Sequence, residues 1–439
     1  MTRARIFYAR VDEYWRKEEK YAYLDDLQDG GQIEWQELKP DAKHNWLIDP
    51  EWSDFESFVP VSAGKATSVA IFDVISNGVQ TNRDAWVYNF DRSELTNNLE
   101  RLIDTYNEQV RRWHKQKRRP EDMDAFVSSD DKEIKWSSRL KERLAANITA
   151  ALEPGNVRPA LYRPFTFKYL YFDSTLVHRR GQFPQILPTS TTHDNQIIWL
   201  KIGSDWPMFA LATNRIPDQL PQGGSQCFPF YTYNEDGTNR LENITDWSLE
   251  QFRAHYEDKS ITKWDIFYYV YALLHHPLYR ARYTANLKRE LPRLPYAPDF
   301  KAFAEIGNRL AEIHVNYEQQ PEYQMERVEA PGFALDWRVE KMKLSKDKRS
   351  LIYNDFLTLS GIPPEVLEYR LGNRSALEWI IDQYQVSTDK RSGITNDPNR
   401  ADDPQYIVRL IGQVITVSLE TVQLVRRLNE FSIVETGSS

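Results

Sequence analysis

Apolar and aromatic residues recur at helical spacing in two runs near the middle of the chain, from Ile266 to Leu274 and from Phe300 to Val315. Between the two runs the pattern is interrupted by prolines at positions 292, 295 and 298. A proline inside a helix removes a hydrogen bond and clashes with the preceding turn. The pattern therefore predicts two helices separated by a break.

The pattern before residue 241 is different. Short apolar runs alternate with Pro and Gly across residues 160–233, which is typical of a strand-rich unit. Short strands are also predicted at Val69–Phe72 and Trp86–Phe90, on either side of a polar loop from Ser76 to Asp84. The alternation of a strand-rich part with a helical part predicts an α+β fold, with the helices as a supporting subdomain.

Three further segments complete the prediction of elements. Helical periodicity covers Leu95 to Arg112, and Thr416 to Glu430 has the pattern of a closing amphipathic helix. Arg3 to Leu24 begins as a strand-like run and continues as a charged helix, whereas residues 330–415 indicate mixed strands and loops. Within that mixed part, the polar loop at 390–398 is expected to have a packing role.

Composition limits the class of protein. The chain has 439 residues, of which 41% are hydrophobic and 13% aromatic, enough for a large core. No apolar run is long enough to span a bilayer, and the single cysteine excludes an internal disulfide, so a cytoplasmic protein without a membrane partner is expected. The net charge of −8 argues against nucleic-acid binding over the whole surface, but it permits a local basic cleft.

Motifs for catalysis are missing from the sequence. An amino-methyltransferase needs an Asx-Pro-Pro-aromatic loop and a glycine-rich turn for its cofactor, and neither is present. Gly30-Gly31 and Gly223-Gly224 lack the spacing of phosphate-binding loops, and His275-His276 are adjacent rather than spaced as metal ligands. No catalytic, cofactor-binding or metal-binding residue is therefore predicted, and whether the chain is an enzyme stays open.

One pattern suggests an alternative. Glu121, Glu133 and Lys135 have the acidic-plus-ExK spacing of magnesium-dependent nucleases, in which two carboxylates hold the metal and the lysine steadies the attacking water. The residues between them are polar and typical of a loop rather than a strand, which favours a solvated acidic linker. A nuclease is kept as an alternative, as is a scaffold without catalytic activity that couples other proteins.

The polar loop at 76–84 is chemically suited to nucleic acid. Amide side chains can bond the edge of adenine in two places, and guanidinium groups can bond guanine or phosphate. The candidate DNA-binding residues of this loop are Asn77, Gln80, Thr81, Asn82 and Arg83. In the alternative interpretation the segment is an ordinary turn, in which Thr81 and Asp84 cap the local backbone.

The other candidates are mostly basic. Arg163, Arg179 and Arg180 lie at predicted strand ends or turns and could clamp phosphates, although Arg163 could equally be buried and paired with Asp173. A run of six Lys or Arg residues with one Trp covers positions 111–119, and it could be either a phosphate-binding arm or a solvated helix end. Its candidate residues are Arg111 and Arg118. Two more candidates, Ser225 and Gln226, follow a glycine pair.

Several sequence blocks resemble one protein family. ITKWDIFYYVYALLHHPLYRARYTANLKRELPRLPYAPDF, at residues 261–300, is similar to the C-terminal specificity region of type ISP restriction-modification enzymes. The loop SNGVQTNRD at 76–84, YRPF at 162–165 and GGSQCFP at 223–229 also resemble elements of that family. In the family, one polypeptide carries nuclease, translocase, adenine methyltransferase and target-recognition parts.

The resemblance implies a division of the chain. Residues 1–60 would be the tail of a methyltransferase-like domain with a connector, and residues 61–240 a strand-rich target-recognition unit. Residues 241–320 would form a helical subdomain, and residues 321–439 the mixed closing part of the specificity domain. The chain is thus expected to begin after a catalytic centre.

The resemblance also implies a function. The chain would recognise a specific sequence in double-stranded DNA and so direct N6-adenine methylation and restriction by other segments or chains. The methyltransferase, translocase and nuclease parts would then be on a companion polypeptide or a missing segment. S-adenosylmethionine, ATP and magnesium are expected on those parts and not on this chain.

Overall fold

The computed structural model describes residues 5–12, 15–27, 29–39, 50–63, 69–116, 123–128, 130–188, 195–220 and 224–434, with residues 50–53 described by their backbone alone. The α-helices are α1 Lys17–Leu27, α2 Asp84–Val87, α3 Arg92–Lys115, α4 Met123–Phe126, α5 Ser138–Ala145, α6 Phe183–Ile186, α7 Asp246–His255, α8 Lys263–His275, α9 Pro277–Arg282, α10 Thr284–Leu287, α11 Phe300–Val315, α12 Ala376–Gln383 and α13 Tyr406–Leu428.

The strands are short and distributed along the chain. They are β1 Ile6–Tyr8, β2 Gln36–Leu38, β3 Val59–Pro60, β4 Ser76–Asn77, β5 Tyr88–Asn89, β6 Val157–Arg163, β7 Thr166–Tyr171, β8 Ile197–Lys201, β9 Ala210–Thr213, β10 Ile216–Pro217, β11 Ser225–Pro229, β12 Tyr231–Thr232, β13 Leu241–Glu242, β14 Arg293–Leu294, β15 Glu326–Glu329, β16 Lys343–Leu344, β17 Ser350–Ile352, β18 Leu357–Ser360, β19 Arg370–Leu371, β20 Arg374–Ser375, β21 Ser387–Thr388 and β22 Thr395–Asn396. The α+β prediction is confirmed.

A four-stranded antiparallel sheet, in the order β4-β11-β8-β9, lies between two hydrophobic cores. Because side chains alternate along a strand, Trp199 and Cys227 face one core, whereas Ile198 and Phe228 face the other. Both faces are buried, which explains why β8 reads IIWLK rather than as an alternation of apolar and polar residues.

A second four-stranded sheet, in the order β10-β6-β7-β5, positions several candidate residues. β6 and β7 form a hairpin, and β10 joins β6 in parallel with Ile216 opposite Ala160. The turn between β6 and β7 contains Phe165 at a φ of 54°. This pairing brings the end of β6, at Arg163, next to Asp218 immediately after β10. A third sheet, in the order β15-β18-β17-β16, lies near the end of the chain.

The two predicted central helices are confirmed as α8 and α11. α8 begins with a capping box, in which Thr262 and Asp265 satisfy each other's backbone N–H groups, and it ends just before Pro277. The two helices pack closely at Gly307, where a Cβ atom would lie 1.9 Å from the carbonyl oxygen of Tyr268. Glycine is therefore required at this helix crossing.

Other helix predictions need adjustment. α3 is longer than the predicted Leu95–Arg112, because Asp91 caps it by accepting from the Glu94 N–H at 2.8 Å. α13 begins at Tyr406, ten residues before the predicted start at Thr416. Its first turns are buried almost all round, and such a continuous apolar run does not distinguish a helix from a buried strand.

α13 is a core helix. Among the described residues it alone is long and apolar enough to cross a membrane, and two thirds of its most apolar window is buried inside the protein. Arg309 Nε on α11 donates to Glu420 Oε1 on α13 at 2.5 Å, which links α13 to the central pair of helices. The two cores thus draw on several of the predicted domains, and the four-part division stays a prediction.

The strand predictions around the polar loop were partly wrong. Val69–Phe72 forms no strand, and Phe72 makes isolated bridges to Ser62 and Ile244. In the predicted strand Trp86–Phe90, only Tyr88–Asn89 is extended, because Asp84–Val87 closes into a helical turn. Runs of four or five apolar residues carry too little periodicity to distinguish these outcomes.

Candidate functional site

Four segments meet on one face of the two central sheets. We name them loop A (residues 76–84), loop B (178–182), loop C (218–226, described except for 221–223) and hairpin D (387–396). Backbone hydrogen bonds join loop A to the end of β10 and to loop C, since Val79 N donates to Pro217 O at 2.9 Å and Gln219 N donates to Val79 O at 3.0 Å. Loop B joins loop A through Gln80 and Arg179.

Two glycines permit this convergence. A Cβ on Gly78 would lie 2.4 Å from the carbonyl oxygen of Asp218, so loops A and C could not approach as closely with any other residue. Gly181 has a φ of +56°, and a Cβ there would lie 2.4 Å from the Ser76 hydroxyl oxygen. Close contact between the loop backbones, which these glycines permit, therefore helps to set the loop positions.

A cavity of about 700 Å³ opens among loop A, loop C and hairpin D. Its lining is polar and carries charges of both signs. The lining includes Gln80, Asn82, Asp84, Trp86, Tyr88, Tyr162, Arg163, Lys168, Asp218, Asp389 and Asn396.

Buried charged and polar groups form one wall of the cavity. Arg163 Nη1 donates to Asp218 Oδ1 at 2.7 Å, and the Tyr162 hydroxyl donates to Asp84 Oδ2 at 3.1 Å. The Lys168 ammonium lies 4.2 Å from the centre of the Tyr162 ring. This position is stabilised by cation–π attraction, although the ammonium is withdrawn from water.

The pKa values in this wall are shifted. Burial, with the nearby Arg163 guanidinium as a second cause, lowers the pKa of Lys168 to about 7. Burial also raises the pKa of Asp218 to about 7, against the opposing pull of Arg163. Burial thus disfavours the charged forms of both side chains.

The predicted site residues fall into two groups. Seven of them keep exposed or partly exposed side chains, and these are Asn77, Gln80, Asn82, Arg111, Arg179, Arg180 and Gln226. Four are buried, and these are Thr81, Arg83, Arg163 and Ser225. Arg118 lies outside the described residues. Loop A, loop B and loop C bring together all the accessible candidates except Arg111, which lies on the last turns of α3.

Arg83 is buried, contrary to the prediction that its side chain contacts DNA. Its side chain is 0% exposed and donates to Lys135 O at 3.1 Å, to Ser137 Oγ at 2.9 Å and to Leu176 O. With its donors committed to protein acceptors, Arg83 holds loop A in place instead of facing a ligand. The sequence could not reveal this, because the three acceptors are all distant along the chain.

Arg163 is also a structural residue. It is buried, as the alternative interpretation allowed, but its partner is Asp218 and not Asp173. The Asp173 carboxylate instead accepts from the backbone N–H groups of Thr175 and Leu176, both at 2.7 Å. Arg163 is thus unavailable as a phosphate clamp.

Two hydroxyl residues have local roles. Thr81 donates to the Asp84 carboxylate and accepts from Arg83 N at 3.2 Å, which is the capped turn of the alternative interpretation. Ser225 is 0% exposed and donates to Asp218 O at 3.2 Å. Both side chains shape the loops from inside.

Gln226 and Asn77 form a pair across neighbouring strands. Gln226 Nε2 donates to Asn77 Oδ1 at 2.5 Å; the Asn77 residue is exposed, whereas the Gln226 side-chain oxygen is buried. Each amide thus fixes the orientation of the other. Such preorganisation suits the reading of a base edge.

Hairpin D is the part of the site that sequence reasoning missed. Its turn is closed by Asp389, which accepts from Ser392 N and Oγ, both at 2.8 Å, and by Gly393 at a φ of +72°. Lys390 and Arg391 are exposed at the tip, whereas Ile394 and Asn396 are buried, as the expected packing role requires. The adjacent Lys-Arg pair next to Ser-Gly was the available signal.

The nuclease pattern gains no support from the geometry. Glu121 lies outside the described residues. Glu133 is exposed and accepts from the Ser128 hydroxyl at 3.2 Å, whereas Lys135 lines the cavity. Among the described residues, no cluster of His, Cys, Asp and Glu could hold a metal ion.

Comparison with solved structures finds similar chains. A nuclease-deletion mutant of the Type ISP restriction-modification enzyme LlaGI, in complex with a DNA substrate mimic, matches with a TM-score of 0.80 and 34% identity over 98% of this chain and 33% of its own. The ATP-dependent Type ISP enzyme LlaBIII bound to DNA matches with a TM-score of 0.80 and 31% identity, over 95% of this chain and 27% of its own. A DrdV–DNA complex matches with a TM-score of 0.78 and 34% identity, over 96% and 43%.

The chain therefore spans less than half the length of these relatives. No curated protein matches it. The model of the Type ISP C-terminal specificity domain matches residues 70–410, which is most of the chain and includes loops A to C and hairpin D. The chain belongs to the Type ISP C-terminal specificity domain family.

Proposed function

We propose that this chain recognises a specific sequence in double-stranded DNA, as the specificity part of a type ISP restriction-modification system. Its family membership supports the proposal, as do the DNA complexes in which similar chains have been solved. The function is binding, and it is performed by the surface formed by loops A to C.

The observation that carries the proposal is the arrangement of amides beside cations. Asn77, Gln80 and Asn82 are accessible on loop A, and Arg179 on loop B is exposed beside them. Amide groups can pair with adenine in two places in the major groove, whereas an exposed guanidinium suits a phosphate oxygen. One surface thus offers both groups that can read bases and groups that can position the protein along the DNA backbone.

Charge placement supports the same function despite the acidic total of −8. Cations lie around the loops. Arg179 on loop B and Lys390 and Arg391 on hairpin D are exposed, and Arg180 on loop B is half-buried. Attraction to the DNA backbone depends on such local groups, because salt screens charges beyond about 10 Å. Arg111 on α3 would extend the contact along the backbone.

The chemistry of the system would lie elsewhere. We assign adenine methylation, translocation and cleavage to parts outside this chain, which would hold S-adenosylmethionine, ATP and magnesium. The chain would present the DNA to them in the cytoplasm. The residues of this chain would orient the DNA and select the DNA sequence.

Selection from random duplex DNA tests the proposal. The purified chain is incubated with a duplex pool at moderate salt, and the bound fraction is amplified and sequenced over several rounds. A single enriched motif is expected. An unenriched pool, from a chain that circular dichroism shows to be folded, would contradict sequence-specific recognition and favour a scaffold that couples proteins.

A further inference from the structure

Three buried polar atoms on cavity-lining residues have no hydrogen-bond partner among the described residues. They are the Trp86 indole nitrogen, the Tyr88 hydroxyl and the Asn396 side-chain oxygen, on residues that are 1%, 1% and 8% exposed. Trp86 lies on α2, Tyr88 on β5 and Asn396 on hairpin D. Buried polar groups in native proteins are nearly always bonded, so the three atoms indicate a polar occupant of the cavity.

The charge of the lining limits what this occupant can be. Four carboxylates and three cations line the same space, so the cavity has no excess of positive charge to bind a phosphate group. The carboxylates are Asp84, Asp131, Asp218 and Asp389, and the cations are Lys135, Arg163 and Lys168. The volume of about 700 Å³ is ample for a small ring system, and Trp86 and Tyr162 give the walls an aromatic part. A flat, uncharged ring with hydrogen-bonding edges fits these conditions, and a nucleobase is such a ring.

We propose that this cavity accepts one nucleobase turned out of the bound duplex. The inference rests on the proposed function. A base that stays stacked presents its edge in a groove, and it cannot reach atoms as deeply buried as the Tyr88 hydroxyl. A base that leaves the stack can be bonded along its pairing edge inside a pocket.

The base concerned would not be the methyl acceptor. The adenine to be methylated is expected to enter a catalytic part outside this chain, so the cavity would take a different base, either its former partner or a neighbour. Loop A and hairpin D would close around that base from opposite sides. The exposed Lys390 and Arg391 at the hairpin tip would hold the flanking phosphates.

Fluorescence of 2-aminopurine tests the inference directly. The preferred duplex from the selection is prepared with 2-aminopurine at each position in turn, because its emission rises when it leaves the stack. The chain alone is added, so that no catalytic part can extrude a base. The emission of 2-aminopurine is expected to rise strongly on binding at one position, which we call the bright position, and to change little at the others.

Two tyrosine variants provide a matched comparison. Tyr88→Phe removes a hydroxyl that has no partner among the described residues, and Tyr369→Phe removes another such hydroxyl at a separate cavity. Both variants should fold as the parent does. Tyr88→Phe should weaken binding of the preferred duplex about fivefold and reduce the bright signal, as for a lost hydrogen bond, whereas Tyr369→Phe should change neither.

A mismatch scan gives an independent readout. A mismatched base costs less to extrude, so a mismatch at the bright position should tighten binding there and nowhere else. Binding of the preferred duplex without any bright position, or an equal response of both tyrosine variants, would overturn this inference alone. A chain that binds no duplex would overturn the proposed function, and this inference with it.

Discussion

Gln80 and Arg179 are joined by two backbone hydrogen bonds, with Gln80 N donating to Arg179 O at 2.9 Å and Arg179 N donating to Gln80 O at 2.8 Å. This bridge places an amide suited to a base edge beside a guanidinium suited to a phosphate. Since both bonds involve the main chain, the side chains can be changed without breaking the bridge. The two roles can therefore be separated by substitution.

Removing an amide should alter specificity. We expect Gln80→Ala or Asn82→Ala to cost about 1–3 kcal/mol at one base position of the preferred site and to relax the preference there. The same is expected of Gln226→Ala, which also removes the hydrogen bond to Asn77 Oδ1. Affinities for the preferred duplex and all its single-base variants give the measurement. An unchanged preference profile for all three variants would exclude direct readout by these loops.

Removing a cation should act on every sequence alike. Arg179→Ala, Arg180→Ala and Arg111→Ala are each expected to weaken binding to preferred and scrambled duplexes equally and to reduce the slope of affinity against salt by about one unit. The same measurement applies to Arg118, whose position lies outside the described residues. Loss of preference without a change in the salt slope would show that these arginines read bases.

The Arg163–Asp218 pair should matter for stability rather than for DNA contact. Arg163→Met or Asp218→Leu leaves one buried charge without its partner, which typically costs about 3–5 kcal/mol. The double variant should cost less than the sum of the two, because neither charge remains. Urea unfolding gives these values, with the exposed Arg179→Ala as the control, expected within about 0.5 kcal/mol of the parent. Equal stability of Arg163→Met and the parent would restore Arg163 as a candidate phosphate clamp.

Gly78 should tolerate no side chain. In Gly78→Ala, the Cβ would lie 2.4 Å from Asp218 O, so loops A and C must separate. We expect a loss of about 1–3 kcal/mol together with weaker DNA binding. Gly155→Ala is the matched control, because a Cβ there meets nothing within 4 Å. Melting temperatures and duplex affinities that match between the two variants would show that the contact of loops A and C is dispensable.

Lys168 should make stability depend on pH. Its pKa is about 7 in the folded chain, against a usual value of 10.5, because burial disfavours the charged form. Between these two values the unfolded chain binds the proton and the folded chain does not, so stability increases as pH rises, with a slope approaching about 1.4 kcal/mol per pH unit. Below pH 7 that contribution is lost.

Lys168→Met isolates this effect. The difference in unfolding free energy between the parent and Lys168→Met should move in favour of the parent as pH rises from 7 toward 10, and it should level off below 7. Asp84, Asp218 and Arg163 are present in both proteins. A difference that is constant with pH would mean that Lys168 stays charged in the folded chain.

The helical part was predictable because its signals are local. α8 and α11 have long periodic runs, and the proline-rich break between them was visible in the sequence. α13 was predicted too short, because its early turns are buried almost all round and carry no polar face. The short strands Tyr88–Asn89 and Ser76–Asn77 are fixed by pairing with distant segments, and no local pattern encodes that.

The site was predictable by segment but not by side chain. Loop A was singled out correctly as a cluster of accessible amides, yet Thr81 and Arg83 within it are buried. The acceptors of Arg83 lie at Lys135, Ser137 and Leu176, which only the fold brings together. Hairpin D was overlooked because more than 300 residues separate Asn82 from Lys390 in the sequence.

The most direct test of sequence recognition is the affinity ratio between the selected duplex and a scrambled duplex of the same composition, measured across 50–200 mM salt. We expect the selected duplex to bind about a thousandfold or more tightly at moderate salt. The affinity for both duplexes should fall steeply as salt rises, because phosphate contacts release counterions. Equal affinities for the two duplexes, or an affinity that does not change with salt, would contradict the account.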